Sequence, residues 1–204
     1  MDWSREAFTM SDDLSLAVKQ VFIKLYDEGL IYRGERLVNW ETVLGTALSD
    51  LEVSSEEENG HLWYIEYLTI NNEKLTVATT RPETLLGDTA LAVNPEDDRY
   101  KQLIGQMALL PIVNRESPLV ADDYVESDFG TGVVKITPAH DFNDFEIGKR
   151  HDLPIINILN FDGTLNKEVP KQYHGLNVDE ARKLVLKELE DLGQLVKTEP
   201  YKVQ

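Results

Sequence analysis

The first regular pattern along the chain is an amphipathic helix that stops near Gly29. Its apolar positions recur every three or four residues, which is the spacing of one helix face. They are Leu14, Val18, Val21, Phe22, Leu25 and Tyr26. Glycine commonly ends a helix, and the segment IYRGERLVNW that follows indicates a short extended return.

Strand patterns dominate the middle of the chain. The segments HLWYIEYLTI and KLTVATT flank the turn-like NNE and predict a hairpin. Further strands are expected at TALAV, MALLPIV, VVKITP and PIINIL. Short helices are expected at PEDDRYKQLIG, which begins with proline, and at NDFEIGKRH.

A second clear helix is predicted near the C-terminus, in NVDEARKLVLKELEDLGQL. One face carries its apolar positions Val178, Ala181, Val185, Leu189 and Leu192. Strands therefore outnumber helices, and the two kinds of element do not alternate. This order favours an α+β fold, with an antiparallel or mixed barrel-like sheet and helices around it.

The composition predicts a folded, acidic domain of a cytoplasmic protein. The 204 residues are 42% hydrophobic, and 37 acidic against 20 basic residues give a net charge of −17. A free-standing nucleic-acid binder usually carries the opposite sign, so another part of a larger protein would have to hold any nucleic acid. There is no cysteine, which excludes disulfides, thiolate nucleophiles and thiolate zinc sites. Neither a membrane-spanning run nor a basic-then-apolar leader is evident.

Common catalytic signatures do not occur. The sequence has no P-loop, no G-x-S-x-G elbow, no H-E-x-x-H and no G-x-G-x-x-G. The glycine pair of GTGVV is more typical of a tight turn before a strand than of a nucleotide site.

The stretch TTRPETLLGDTA, residues 79–90, places polar residues where a strand ends. Pro82 removes a backbone donor and fixes a turn. Thr79 and Thr80 point to opposite sides if the chain is extended, so one can face a ligand. Arg81 is a candidate clamp for a phosphate or a carboxylate, with a surface ion pair to Glu83 as the alternative.

The stretch GTGVVKITPAHDFNDFE, residues 130–146, contains a second group of candidates. Asp141 and Asp144 share one side of a first helical turn, as catalytic groups or as helix caps. His140 has no second histidine at ligand spacing, so a metal is not expected. Lys135 lies among apolar residues and needs a partner unless its strand face is solvated.

These stretches resemble the editing insertion of the valyl-tRNA synthetases. The resemblance rests on TTRPETLLGDTALAVNPEDDRY, GTGVVKITPAHDFNDFEIGKRH and LPIINILNFDGT, and it extends through the lead-in segment over essentially the whole chain. It implies a closed six-stranded, mostly antiparallel β-barrel with peripheral helices. It also implies one editing domain over 1–204, with a lead-in helix and strand at 1–50, a barrel core at 61–165 and a C-terminal helix and return at 166–204.

The activity implied by the resemblance is hydrolysis of threonine wrongly esterified to tRNA(Val). Asp144 is expected to bind the α-ammonium of the aminoacyl group, and Asp141, Lys135 and Thr137 to line the region of the threonine side chain and water. Thr79, Thr80 and Arg81 are expected to hold the ester and the terminal adenosine, and Phe129 to form an apolar or stacking wall. His140 is expected to belong to the substrate-binding residues. The catalytic set would be Asp144, Asp141, Lys135 and Thr80, with a positioned water as the attacking group.

The resemblance also implies partners and limits. The signatures of the synthetic site are absent, so the chain is expected to be the editing part only, using no cofactor itself, with ATP needed only by the absent synthetic domain. Its expected partners are the 3′ end of tRNA(Val) carrying threonine and the rest of the synthetase chain. No membrane partner is expected, and the fragment should be monomeric.

Alternative functions are an editing domain of an isoleucyl or leucyl enzyme and a non-catalytic tRNA-docking module. A glycoside hydrolase fits poorly, because such enzymes hold their two carboxylates on opposite sides of the scissile bond.

Overall fold

The computed structural model describes residues 3–203, and the chain divides into two compact units, Met1–Arg36 and Leu37–Gln204. The first unit contains a 3-10 turn, Trp3–Arg5, and helix α1, Asp12–Asp27. The predicted helix is thereby confirmed, and Gly29 follows it with a φ of +73°. None of the α1 side chains is buried.

The second unit contains nine strands and two α-helices among the described residues. The strands are β1 Asn39–Glu41, β2 Thr46–Leu48, β3 Glu58–Thr69, β4 Lys74–Thr79, β5 Ala90–Val93, β6 Met107–Leu109, β7 Glu116–Ala121, β8 Val133–Ile136 and β9 Leu195–Val203. The helices are α2 Phe142–Arg150 and α3 Val178–Asp191. Three 3-10 segments complete the unit: Asp50–Glu52, Pro82–Gly87 and Lys171–Tyr173.

The main sheet is a nearly closed six-stranded barrel. Its strands follow the order β4-β3-β6-β7-β5-β8, and β9 adds to the free part of the long strand β3. All pairs are antiparallel except β5 with β7. The Thr131 hydroxyl donates to the Thr76 carbonyl and ties the approach to β8 to β4. The predicted α+β barrel with peripheral helices is confirmed.

Strand β5 separates two apolar clusters because successive side chains point to opposite faces of a strand. Leu91 and Val93 belong to the larger cluster inside the sheet. Ala90 and Ala92 face the smaller one, which also contains Ile147 of α2. The strand is buried on both faces, so it fixes the position of the neighbouring β8 and of helix α2.

The predicted helix at PEDDRYKQLIG is wrong. Residues 95–105 form consecutive turns. The Asp97 carboxylate accepts the Arg99 amide at 3.0 Å and the Arg99 guanidinium at 2.9 Å. Such local side-chain bonds to the backbone compete with helix formation.

The predicted strand at PIINIL is also wrong. Residues 154–159 are irregular, with a single bridge between Leu159 and Leu165. Side chains take over the role of a strand partner here, since the Asn166 amide donates to the Asn157 carbonyl at 2.7 Å. The strand predicted at MALLPIV ends at Leu109, where a turn with Ile112 at a φ of +65° begins.

Three strands were not expected from the sequence, and they are β2, β7 and β9. Strand β7 contains Pro118, which weakens a strand pattern, and most of β9 is exposed, so it lacks apolar alternation. The predicted turn at GTGVV is confirmed, with Gly130 and Gly132 both at positive φ. Within residues 3–203, no helix is long and apolar enough to cross a membrane.

Candidate active site

The stretch after β4 forms a buried 3-10 helix. Arg81 precedes it, and the Arg81 amide donates to the Thr79 hydroxyl at 3.1 Å. Pro82 opens the helix, as its fixed φ favours. All six residues of Pro82–Gly87 are buried. The segment delivers Asp88, which is 0% exposed, to the interior just before β5 begins.

The stretch after β8 turns directly into α2. The Asp141 carboxylate caps the helix and accepts the amides of Asn143 at 2.9 Å and Asp144 at 3.1 Å. Asp144 lies in the first turn, and its Oδ2 accepts the Thr137 amide at 2.8 Å. The Asp144 carboxylate is therefore held against the end of strand β8.

These two stretches lie around one cavity of about 490 Å³. Seven of the residues selected from the sequence line it: Thr79, Thr80, Arg81, Phe129, Lys135, Asp141 and Asp144. The two stretches singled out in the sequence, residues 79–90 and 130–146, therefore contribute to the same pocket. Thr137 and His140 are not in the cavity lining; Thr137 is 1% exposed and lies behind Lys135.

Lys135 is paired inside the protein rather than solvated. Its ammonium donates to the Thr84 hydroxyl at 2.7 Å, to Asp88 at 2.9 Å and to the Thr137 hydroxyl at 2.6 Å. An ammonium has three protons, and all three are used. The side chain is 9% exposed, so these contacts offset the cost of removing the charge from water.

Asp144 is a nearly buried acid, 8% exposed, on the wall of the cavity. Burial raises the pKa of its carboxyl to about 6, although the Lys135 ammonium and the Thr137 amide act in the opposite direction. The carboxylate is therefore ionised at pH 7. A desolvated negative charge on a cavity wall is suited to holding a cationic group of a ligand.

Arg81 and Asp141 form the exposed rim of the cavity. The Arg81 guanidinium donates to the His140 carbonyl at 2.8 Å and lies 3.4 Å from the Asp141 carboxylate. Glu83, the alternative partner predicted for Arg81, does not pair with it. Glu83 pairs instead with Arg182 of α3 at 2.8 Å. Arg81 is 46% exposed and so keeps access to an anionic ligand.

His140 faces away from this cavity. Its Nε2 accepts the Ile158 amide at 3.1 Å, which requires a neutral ring at that nitrogen. Burial, together with the nearby Lys135 and Arg81 charges, lowers the pKa of His140 to about 4. The ring lines a second, wider cleft of about 1280 Å³, which shares Thr80, Arg81 and Asp141 with the first cavity. In the described part of the chain, no cluster of three histidine or acidic side chains is arranged to hold a metal.

The sequence reasoning missed Asp88, Thr84 and Tyr124. Thr84 and Tyr124 line the cavity, and Asp88 supports Lys135 from behind. A signal for Asp88 was present, because Asp88 and Lys135 are the isolated charges in the apolar runs LLGDTALAV and VVKIT. Each charge alone would be strongly destabilising in an apolar interior, so two such charges of opposite sign predict a buried ion pair.

Comparison with known proteins gives one family. The model of the class I tRNA synthetases (I, L, M and V) matches residues 1–197. A valine--tRNA ligase of Legionella pneumophila (strain Lens) is 60% identical over all of this chain and 22% of its own length. The corresponding ligase of Francisella tularensis (strain SCHU S4 / Schu 4) is 60% identical over 98% of this chain and 22% of its own.

A solved structure has a similar fold. It is the agnB2 LeuRS of Agrobacterium radiobacter K84 in a ternary complex with tRNA and LeuAMS, at a TM-score of 0.53 and 21% identity. The similarity covers 98% of this chain and 34% of that one. The chain spans about a fifth of the length of the valine--tRNA ligases it matches. The chain belongs to the class I tRNA synthetases of the I, L, M and V group.

Proposed function

We propose that this domain hydrolyses the ester that joins threonine to tRNA(Val), within a valyl-tRNA synthetase. The observation that carries the proposal is the buried Asp144 carboxylate on the wall of the cavity. The whole-chain similarity to valine--tRNA ligases supports valine as the cognate amino acid. The expected rest of the synthetase and the 3′ end of a tRNA are the partners of this activity.

The chemical need for such a site comes from the shape of threonine. Threonine is nearly isosteric with valine, and an apolar synthetic pocket rejects the hydroxyl analogue only weakly; the valyl enzymes are the established example, at about 10²-fold. A second site that recognises the hydroxyl can hydrolyse the wrong product. An aminoacyl ester is already reactive, so a positioned water and charge stabilisation can suffice.

In this proposal Asp144 holds the α-ammonium of the aminoacyl group. The carboxylate is ionised at pH 7, and one of its oxygens is fixed by the Thr137 amide. No hydrogen bond within residues 3–203 holds the other oxygen, Oδ1, so it is free for a ligand. Arg81 and Thr80 at the rim lie where the ester and the adenosine enter, and Phe129, half exposed, supplies an apolar wall.

Recognition of the threonine hydroxyl requires an exchange of partners. Lys135 already uses its three protons on Thr84, Asp88 and Thr137, so it can donate to a ligand only by releasing one of them. Thr84 is the partner that lies on the cavity wall. Asp141, whose carboxylate is 38% exposed, offers the accessible acceptor. Valine supplies neither donor nor acceptor, so it leaves the existing partners in place and gains none of the hydrogen bonds to charged groups that threonine makes, about 1.5–3 kcal/mol each.

A pair of single-turnover deacylation rates tests the proposal. In a valyl-tRNA synthetase carrying this domain, threonyl-tRNA(Val) should be hydrolysed at least ~10²-fold faster than valyl-tRNA(Val), the ratio that two such hydrogen bonds to the threonine hydroxyl give at about 1.4 kcal/mol per decade. Asp144→Ala should abolish the threonyl reaction, with circular dichroism as the control for folding.

Equal rates on the two esters, or full activity in folded Asp144→Ala, would refute the proposal. A panel of mischarged isoleucine and leucine tRNAs separates this activity from that of the sister enzymes. A domain that restores tRNA binding but no hydrolysis would be a docking module.

A further inference from the structure

Asp88 lies beneath the cavity and takes no part in its wall. The carboxylate is 0% exposed. Its Oδ1 accepts the Lys135 ammonium at 2.9 Å and the Thr137 hydroxyl at 2.6 Å, and its Oδ2 accepts the Tyr67 hydroxyl at 2.9 Å. The Arg115 guanidinium donates to the Asp88 carbonyl at 2.6 Å and fixes the backbone as well.

The direction of each hydrogen bond in this network is determined by its members. A lysine ammonium only donates, and an ionised carboxylate only accepts. The Thr137 hydroxyl therefore accepts from Lys135 and gives its single proton to Asp88. The Thr84 hydroxyl accepts from Lys135 and donates to the Arg81 carbonyl at 3.0 Å. One arrangement of protons satisfies the hydroxyls of Tyr67, Thr84 and Thr137 and the Lys135 ammonium, and Asp88 is the acceptor at its centre.

The network reaches the substrate side through Thr137. The hydroxyl of this residue is fixed by Asp88, and its amide donates to the Asp144 carboxylate at 2.8 Å. Asp88 also supplies the negative charge that keeps the Lys135 ammonium in place behind the cavity. Loss of the Asp88 charge would leave a buried ammonium with hydroxyl partners alone, and it would loosen Thr137.

We propose that Asp88 is the positioning residue of this site, which sets the places of Lys135 and Thr137 and, through the Thr137 amide, that of Asp144. Its effect on catalysis rests on the proposed function, since hydrolysis is the reaction that misplacement would slow. A displacement of about 1 Å at a reacting group costs on the order of 10²-fold in rate.

Asp88→Asn tests the proposal, because it keeps the shape and removes the charge. Single-turnover hydrolysis of threonyl-tRNA(Val) by the synthetase should fall by about 10²-fold. Asp97→Asn is the matched control, since Asp97 is a nearly buried, arginine-paired carboxylate that does not line the cavity. It should hydrolyse the ester like the wild type.

A second measurement does not depend on activity. In the 204-residue chain, NMR of ¹³C-labelled aspartate carboxyls follows the titration of Asp144. The charged groups that act on Asp144 are Lys135, Asp141 and Asp88, and the Asp88 charge raises its pKa. The Thr137 amide lowers the pKa of Asp144 more strongly than the Asp88 charge raises it. Loss of the Thr137 amide bond in Asp88→Asn should therefore move the Asp144 titration to higher pH, whereas loss of the Asp88 charge with Thr137 still in place would move it to lower pH. Asp97→Asn should leave the titration unchanged.

Tyr67→Phe covers the case in which Asp88→Asn fails to fold. It removes only the Tyr67 hydrogen bond to Asp88, and Tyr67 is not among the residues that line the cavity. The variant should slow hydrolysis about threefold, an effect of ~0.7 kcal/mol on the barrier. The proposal is overturned if folded Asp88→Asn, or Tyr67→Phe in its place, leaves both the rate and the Asp144 titration unchanged. A wild type without hydrolysis would refute the proposed function alone, and the titration would still decide the role of Asp88.

Discussion

At the scale of single residues, Asp144 carries a conflict between stability and ligand binding. Burial raises the pKa of its carboxyl from the usual 3.8 to about 6. At pH 7 the folded chain thus contains a desolvated charge that the unfolded chain would keep in water. A bound ammonium would offset the desolvation of the Asp144 carboxylate. A residue that destabilises the ligand-free protein can in this way favour ligand binding.

The stability consequence can be measured with Asp144→Asn. Each pH unit between the unfolded and folded pKa is worth ~1.4 kcal/mol, so the isosteric amide should raise the free energy of unfolding at pH 7 by roughly 1–3 kcal/mol. The folded Asp144 holds a proton that the unfolded chain has lost between pH 3.8 and about 6. Wild-type stability should therefore fall across this window as the pH rises, and the variant should lack that fall.

Urea denaturation at a series of pH values from 4 to 7 gives the comparison. Asp97→Asn provides a control of opposite sign, since its hydrogen bond with Arg99 lowers the pKa of Asp97. A variant Asp144→Asn that is less stable than the wild type at pH 7 would contradict this account.

At the scale of elements, the first residues of α2 both cap the helix and line the cavity. Asp141 caps the helix through the amides of Asn143 and Asp144, and the same residue lies on the cavity rim beside Arg81. Gly148 allows the helix to approach the strand end, since a Cβ there would lie 2.9 Å from the Pro138 ring. The helix start is therefore fixed at both the cap and the packing contact.

Two substitutions of Asp141 separate its tasks. Asp141→Ala removes the cap and should cost about 1 kcal/mol of stability, whereas Asn caps as well as Asp and should cost much less. The ion pair with Arg81 is exposed and contributes little to stability. Both variants should nevertheless slow hydrolysis of threonyl-tRNA(Val), because both remove the charge at the rim.

Thermal unfolding and deacylation rates of the two variants provide the measurement. Equal destabilisation by Asn and by Ala would show that the charge of Asp141, rather than its cap, stabilises the helix. A wild-type rate of hydrolysis in Asp141→Asn would show that the Asp141 charge is not needed for catalysis.

At the scale of the whole molecule, the net charge of −17 opposes a polyanionic partner. Lys135 and Arg182 are paired with buried acids, and Arg81, the cation on the cavity rim, forms an exposed pair with Asp141. Phosphate contacts supply most of the affinity of a protein for nucleic acid. The 204-residue chain by itself should therefore bind tRNA with low affinity.

The corresponding prediction is that the 204-residue chain binds tRNA(Val) with a dissociation constant above ~10⁻⁶ M, within the range of non-specific binding. Filter binding at ~0.15 M salt, the physiological value, is the measurement, with the whole synthetase as the positive control. Sub-micromolar affinity of the chain alone would contradict the prediction and show that this domain itself supplies most of the affinity for tRNA.

The sequence by itself determined the elements whose pattern is local. Helices α1, α2 and α3 and the β3–β4 hairpin follow from apolar spacing, since a helix or a tight hairpin buries one face of a continuous segment. The closeness of Asp141 and Asp144 has the same origin, because they lie within one helical turn. The strand-end positions of Thr79 and Thr80 were readable from the proline that follows.

The tertiary structure decided what depends on distant segments. Exposed β9 became a strand only because β3 offered it an edge. Residues 154–159 stayed irregular, and Asn166 alone bonds the Asn157 carbonyl through its side chain and the Ile158 carbonyl through its backbone amide. His140 turned from the cavity to the Ile158 amide. Lys135 met Asp88, 47 residues away, in a fully buried pair. The spacing of apolar residues indicates which face of a segment is buried. The partner of a buried charge, in contrast, depends on which distant segment packs against it in the folded protein.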